Sequence, residues 1–272
     1  MGNRQSRPWI VSDELWSLIV PLLPEPAPQL IEGRPRVPDR QALCGILFVL
    51  HTGIQWEYLP QELGFGSGMT CWRRLAAWNE AGVRDRLHAV PLKELRSKNQ
   101  LDWSRAVIDS SHVRAARKGP KSGPSPADRA QPGSKHHVLT DGQDIPLAVS
   151  LTGGNRNDVT QLLPLLDKVP AVAGIIGRRR RRPDMLFADR GYDHEKYRRL
   201  LRRRGIRPAI AERGQPHGTG LGTFRRVAER TISWLHGFRR LRIRWERRDD
   251  IHEAFLGLTV CLITHRHVQQ LC

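Results

Sequence analysis

The spacing of apolar residues divides the chain into a helical first part and a mixed second part. Apolar residues recur at helical spacing after Ser12, which can cap a helix, until a proline-rich stretch ends it. A second helix is predicted to begin at Asp39 and to end at Gly53. A Gly/Ser-rich turn at 64–68 leads into a third helix over 69–82. The first part of the chain is therefore predicted to be all helical.

From about residue 101, short apolar and β-branched runs replace the helical pattern. The predicted strands cover residues 106–108, 135–140, 145–151, 185–188 and 207–210. Asp141 and Gly142 lie between the second and third of these runs, and this dipeptide is typical of a tight hairpin turn. A hairpin followed by strands that alternate with helices indicates a mixed α/β sheet.

Helices are predicted between and after these strands. They follow Asp158, cover 193–204, and close the chain as two long helices at 227–248 and 251–264. The first closing helix has one apolar stripe, made of Val227, Thr231, Trp234, Phe238, Leu241 and Trp245. The Pro/Gly/Ser-rich basic segment at about 117–134 is predicted to be a flexible loop, which either orders against DNA or stays disordered.

These elements predict two domains, a small all-helical one at 1–97 and an α/β one at 101–272. No apolar run reaches the roughly 20 residues of a membrane-spanning helix, and the N-terminus lacks the apolar stretch of a secretory signal. The four cysteines have no metal-ligand spacing, so zinc is not implied. We therefore expect a soluble cytoplasmic protein without a membrane partner.

The charge of the chain indicates the class of partner. Lys and Arg number 45 and Asp and Glu 27, which gives a formal net charge of +18. Most of the cations are arginines, whose planar donors suit phosphate oxygens, so nucleic acid is favoured over a small-molecule substrate. If the second and third helices form a helix-turn-helix arrangement, Arg73, Arg74 and Asn79 would read base edges. The alternative is a plain helical bundle with an exposed basic face.

Two aspartates stand at the ends of predicted buried strands. Asp109 follows the first strand and Asp189 follows the fourth. Carboxylates brought together there would repel each other, and bound cations, typically Mg²⁺, would relieve the repulsion. Glu229, just off the apolar stripe of the first closing helix, could reach the same edge. The alternatives are turn or cap residues for the aspartates and a surface glutamate paired with arginine for Glu229.

Three segments in a fixed order carry a family resemblance. AVIDSSHVRA at 106–115, LFADRGYD at 186–193 and the arginine-rich segment at 227–248 resemble insertion-sequence transposases of the DDE type, in particular family five of the four/five superfamily. The segments SDELW and GSGMTCWRRL near the N-terminus resemble the leader domain of that family, so the resemblance covers nearly the whole chain.

The resemblance implies a ribonuclease-H-like catalytic core behind a small helical DNA-binding domain. It assigns Asp109, Asp189 and Glu229 to the binding of two Mg²⁺ ions, for which Mn²⁺ can substitute, and to two-metal phosphoryl transfer on DNA. Of the further superfamily positions, Arg225 matches an arginine, whereas Gly222 and His236 stand in place of a tyrosine and a lysine.

The implied partner is double-stranded DNA, both the transposon ends and the target, bound by a homodimer. Beyond the helical part, the expected DNA contacts are Arg190, Arg225, Arg230, His236, Arg239 and Arg240. Two other functions stay open at this point. One is a transposase-derived DNA-binding protein that has lost or repurposed its nuclease activity, and the other is a nuclease or RNA enzyme without strand transfer.

Overall fold

The computed structural model describes residues 7–26, 35–172, 179–214 and 221–270, with the side chains of 221–227 left out. Its first part is helical, as predicted. The helices are α1 (Asp13–Ile19), α2 (Asp39–Thr52), α3 (Gly68–Glu80) and α4 (Val83–Ser97). The Ser12 hydroxyl caps α1 by accepting a hydrogen bond from the Leu15 amide at 3.2 Å. Gly53 ends α2 with φ at +76°, a conformation that favours glycine.

The second part is built on one mixed sheet. Its strands are β1 (Ala106–Ala115), β2 (Gly123–Pro124), β3 (Pro132–Asp141), β4 (Pro146–Gly153), β5 (Met185–Ala188), β6 (Arg207–Ile210) and β7 (Ile243–Arg244). Strands β4, β3 and β1 are antiparallel neighbours, and β5 and β6 continue on the other side of β1 in parallel. The long strands thus follow the order β4-β3-β1-β5-β6, and the mixed ribonuclease-H-like sheet that was expected is confirmed.

The segment predicted to be a loop contains β2, which pairs with the start of β3. The buried side chain of Ser125 anchors this segment, because its hydroxyl lies 3.1 Å from the His112 Nδ1 atom. The Ser125 amide also donates a hydrogen bond to the Gln131 carbonyl at 2.9 Å. Local pairing therefore gives the basic segment a defined path beside the sheet.

Five helices of the described residues belong to this second part. They are α5 (Leu162–Lys168), α6 (Glu195–Arg203), α7 (Leu221–Gly237), α8 (Arg239–Arg242) and α9 (Asp249–Gln269). The prediction of one helix over 227–248 was wrong, because the chain breaks at Phe238, whose backbone is extended. The Phe238 ring is buried and packs 4.6 Å from the His51 ring, so the break places it in the core. None of the described helices is long and apolar enough to cross a lipid bilayer.

The N-terminal helices share a hydrophobic core with the C-terminal helix. Leu47 and Leu50 of α2 belong to the same buried cluster as Phe255 and Leu256 of α9 and Val138 of β3. A second cluster fills the opposite face of the sheet. The change from helices to strands near residues 97–101 is therefore a change of element type across a continuous core.

Candidate active site

Two aspartates follow the paired residues of the parallel strands β1 and β5. In the parallel pair of β1 and β5, Ala106 is opposite Leu186 and Val107 is opposite Phe187. Asp109 lies two residues further along β1, and Asp189 is the first residue after β5, two residues beyond Phe187. Neighbouring strands are about 4.8 Å apart, so the register brings both half-buried carboxyl groups to one edge.

Backbone amides orient one oxygen of each carboxyl group. The Ser110 amide donates to Asp109 Oδ1 at 2.8 Å. The Gly191 amide donates to Asp189 Oδ1 at 2.9 Å, because Asp189 caps the 3₁₀ turn that follows β5. Hydrogen bonds to neighbouring amides limit the rotation of both side chains. The local backbone therefore presents the two groups in fixed directions.

A buried tyrosine accompanies the two aspartates. Tyr192 is 1% exposed, and its hydroxyl has no hydrogen-bond partner among the described residues. Burial raises the pKa of Tyr192 well above its usual value, and the charges of Asp158, Asp109 and Asp189 raise it further. Tyr192 is therefore a protonated donor close to three carboxyl groups. Sequence reasoning left its role open, although the motif that contains Asp189 also contains Tyr192.

Helix α7 crosses the strands that lead to the two aspartates. Ala228 is fully buried against Val107 of β1 and Phe187 of β5. Glu229 is the next residue, and its side chain is exposed. Within the described ranges, no group of three or more His, Cys, Asp or Glu side chains lies close enough to hold a metal ion. The third predicted carboxylate is therefore on a helix that packs on the two strands, and the three side chains are not gathered into one cluster.

The donor set nevertheless suits a hard divalent cation. Carboxylate oxygens are the ligands that Mg²⁺ prefers, and it commonly binds through one or two of them while it keeps water ligands. Asp109 and Asp189 provide such a pair at one edge of the sheet. The residues that the structure describes therefore fit Mg²⁺ through these two side chains, with Glu229 on the helix above.

His236 lies near this edge, at the end of α7. Its Nε2 atom is 3.4 Å from the hydroxyl of Ser111, which is two residues beyond Asp109 on β1. Burial lowers the pKa of His236 below its usual value of 6.5, and the charge of Arg242 lowers it further. A neutral imidazole at this position provides hydrogen bonds and no positive charge at pH 7. The predicted DNA contact by His236 would accordingly be a hydrogen bond.

The predicted arginine contacts around the site lie in different surroundings. Arg230 is exposed and forms an ion pair with Asp144 of the hairpin turn at 2.8 Å. Arg239 is exposed at the start of α8. Arg190 is half-buried in the turn after Asp189, and its carbonyl accepts a hydrogen bond from Arg213. The side chain of Arg225 lies outside the described residues.

Arg240 differs from the expectation of a surface contact, because it is only 3% exposed. Its Nε and Nη2 atoms donate to Glu246 Oε1 at 2.8 and 2.6 Å, and its Nη1 atom donates to the Ile54 carbonyl at 2.6 Å. Glu246 also lies 3.4 Å from His252 Nδ1, and His252 Nε2 lies 2.8 Å from His136 Nε2. These residues form a buried polar network that joins α2, α8, β3 and α9.

The predicted DNA-reading helix is α3. Arg73 is exposed on it, whereas Arg74 forms an ion pair with Asp39 of α2 and Asn79 donates to the Asp250 carbonyl at 3.4 Å. The connection from α2 to α3 spans residues 53–67 and contains two 3₁₀ turns, so it is longer than in a compact helix-turn-helix. Base reading by α3 stays a prediction, and Arg73 is the residue that faces outward.

Two family models match the chain, one over its helical first part and one over its α/β second part. A family model described as "Putative transposase of IS4/5 family" matches residues 11–88, and one described as "Transposase DDE domain" matches residues 104–264. The second match covers more than half of the chain.

Two relatives come from Burkholderia cepacia. The "Putative transposase for insertion sequence element IS402" is 62% identical over 144 residues, which cover 53% of this chain and 68% of that protein. The "Insertion element IS402 uncharacterized 16.2 kDa protein" is 55% identical over 119 residues, which cover 43% of this chain and 81% of that protein.

Among solved structures, a pre-cleavage Mos1 transpososome aligns over 88% of this chain and 82% of its own, with 13% identity and a TM-score of 0.28. That likeness is too distant to carry residue positions across. The two family models and the IS402 relative carry the assignment. The chain belongs to the DDE transposases of the IS4/5 family.

Proposed function

We propose that the protein binds the terminal inverted repeats of an insertion sequence, cuts the DNA there and joins the freed ends to a target. Asp109, Asp189 and Glu229 are the catalytic residues in this proposal. It is supported by one observation, the parallel pairing of β1 with β5, because Asp109 and Asp189 each follow the paired residues of these strands by two positions. We further propose that two copies act together on DNA in the cytoplasm, because two transposon ends must be joined in concert.

The chain provides the parts that phosphoryl transfer needs. Asp109 and Asp189 would hold two divalent ions, with Glu229 reaching them from α7. Bound Mg²⁺ or Mn²⁺ would supply charge neutralisation at the scissile phosphate and activation of the attacking hydroxyl. The amides of Ser110 and Gly191 hold the aspartate oxygens in place for this purpose. The hydroxyl of the buried Tyr192 would be a hydrogen-bond donor for this site.

The DNA would lie across a strongly basic surface. The chain carries a formal net charge of +18, and the exposed Arg73, Arg230 and Arg239 are on the helices around the sheet. Each phosphate that a protein cation neutralises releases counterions, so the affinity should fall steeply with salt. Arg190, Arg225 and His236 would contact the strand that is cut, since they flank the two aspartates and Glu229 in the chain.

Asp109→Asn tests this function. The variant keeps the shape of the side chain but removes the charge that a divalent ion needs, so we expect cleavage of DNA with transposon ends to fall by at least about a thousandfold. DNA affinity should be unchanged or slightly higher. Cleavage is measured on end-labelled DNA with Mg²⁺, and affinity by fluorescence anisotropy with Ca²⁺.

Asp167→Asn is the matched control, because Asp167 is an exposed aspartate on α5 that pairs with Arg204 away from the site. It should cut as well as the unmodified protein. Full cutting by Asp109→Asn would refute the assignment of the acidic residues. DNA binding by the unmodified protein without any Mg²⁺-dependent cutting would instead support a repurposed DNA-binding protein.

A further inference from the structure

A large groove separates the N-terminal helices from the corner between β7 and α9. Its volume is about 580 Å³, within the range of about 300–1,000 Å³ of sites that take ligands of nucleotide size. The segment before α3, the start of α3 and the residues after β7 line it. The groove is separate from the edge that carries Asp109 and Asp189, and none of the expected DNA contacts except the buried Arg240 lines it.

Three tryptophan rings line this groove, and one of them belongs to no hydrophobic cluster of the described residues. Trp56 stacks on Phe255 with ring centres 5.4 Å apart, so its ring has a partner. Trp72 is half-buried and lies 5.2 Å from the guanidinium carbon of Arg248. Trp245 is half-buried too, yet it belongs to none of the hydrophobic clusters formed by the described residues. Trp245 therefore offers an aromatic surface to whatever enters the groove.

The lining is also positively charged. Arg117, Arg247 and Arg248 are exposed there, but Arg248 forms an ion pair with Asp250 at 2.6 Å, so the charge open to an anion comes chiefly from Arg117 and Arg247. The acidic residues of the lining are Glu57 and Glu246, and the buried ion pair with Arg240 neutralises Glu246. Helix α3 begins at the groove without an acidic residue in its first turn, so its positive end is not compensated locally. The groove therefore combines aromatic surface with charge that favours an anion.

The sheet fixes the position of this groove relative to the aspartates. Strand β7 pairs with the end of β1, where Ala115 is opposite Arg244, and Trp245 follows directly. Asp109 lies six residues before Ala115 on the same strand. At about 3.3 Å per residue, roughly 20 Å separate the two places. That is about six base pairs of DNA, so one bound duplex can reach both.

We propose that this groove holds an unpaired nucleotide of the bound DNA, with its base against Trp245 and its phosphates at Arg117 and Arg247. Aromatic side chains beside arginines are the usual binding elements for single-stranded nucleic acid. A paired base is stacked on both faces and cannot contact Trp245, whereas an unpaired base can leave the stack. This inference rests on the proposed function in that it takes DNA as the substrate.

The test compares two DNA duplexes of the same sequence, one fully paired and one with a two-nucleotide bulge that contains 2-aminopurine. We expect the bulged duplex to bind about tenfold more tightly by anisotropy. The 2-aminopurine fluorescence should be quenched on binding, because the base stacks on Trp245. Trp245→Ala should lose the tenfold preference and the quenching and still bind the paired duplex normally.

Three further variants keep the test independent of folding. Trp245→Phe retains a ring and should keep most of the preference. Arg247→Glu, at an exposed position, should abolish the preference by repelling phosphate, whereas Arg199→Ala on the exposed face of α6 should leave it unchanged. Equal affinity for both duplexes, or an equal loss for both in Trp245→Ala, would overturn the proposal. Binding requires no cutting, so this outcome is independent of the Asp109→Asn result.

Discussion

At the scale of single residues, the buried Arg240 shows how this basic protein tolerates a charge in its core. An unpaired buried cation is very costly, whereas a cation with a bonded carboxylate partner is tolerated. Glu246 provides two short contacts, and the Ile54 carbonyl provides another. Burial would raise the pKa of Glu246, but the hydrogen bond with His252 and the charge of Arg240 outweigh it and hold that pKa below its usual value.

We expect Glu246→Gln to lower the free energy of unfolding by about 3–5 kcal/mol, because it leaves Arg240 buried without its counter-charge. Urea unfolding followed by circular dichroism measures the loss. Glu62→Gln, at an exposed glutamate before α3, should change stability by less than about 0.5 kcal/mol. Equal losses in the two variants would show that the ion pair does not stabilise the fold.

At the scale of elements, the break between α7 and α8 brings the start of α8 close to the end of α2. Gly53 at the end of α2 has φ at +76°, and a Cβ atom added there would lie 3.0 Å from the Cβ atom of Arg239, at the start of α8. Gly64 has a similar φ of +71° with no atom within 4 Å of its added Cβ. Substituting each of these two glycines therefore separates the energetic cost of backbone strain from the cost of crowding.

Gly64→Ala should cost about 1–2 kcal/mol of stability, the penalty of a left-handed conformation for a residue with a Cβ atom. Gly53→Ala should cost more by roughly a further 1 kcal/mol, because α2 and α8 must also move apart. Thermal or urea unfolding of both variants measures the difference. Identical costs would mean that the contact between the two helices adjusts freely.

The break between α7 and α8 at Phe238 shows what the sequence could and could not predict about the elements. Strands β5 and β6 match their predicted ranges, and β5 is a short apolar run bounded by Asp184 and Asp189. Asp189 could be placed from the end of its strand, whereas β1 continues to Ala115, so Asp109 lies inside its strand and not at the predicted end. The helix over 227–248 could not be divided correctly, since Phe238 leaves it for a partner on α2 that lies far away in the chain. Trp245 was assigned to an apolar stripe for the same reason.

At the scale of the whole molecule, histidines with lowered pKa values lie in both the helical layer and the sheet, and His88 joins the two. His88 of α4 lies 2.9 Å from the Pro146 carbonyl of β4. Burial lowers the pKa of His88 from 6.5 to about 4, against the raising effects of that carbonyl and Asp85. His51 and His137 also have pKa values lowered to about 4, chiefly by burial. Unfolding therefore releases several imidazoles that then take up protons.

The free energy of unfolding should fall as the pH drops below 6.5 towards 4, since in that range these three histidines take up protons in the unfolded chain and not in the folded chain. Asp141, whose pKa burial raises to about 7, acts in the opposite direction over the same range, but it is one group against three. Each such histidine contributes a slope of up to about 1.4 kcal/mol per pH unit. His88→Gln should remove the contribution of one histidine and so make the pH profile less steep. Urea unfolding at a series of pH values measures the slopes. The same slope in His88→Gln and the unmodified protein would contradict this account.

The continuous core between the N-terminal helices and α9 has a consequence for engineering new end specificity. The leader segment cannot be exchanged between relatives as a module, because Phe255 and Leu256 of α9 pack into the same cluster as Leu47 and Leu50. A chimaera must transplant the matching face of α9 together with the N-terminal helices. Without it, the foreign leader would meet side chains selected for a different neighbour.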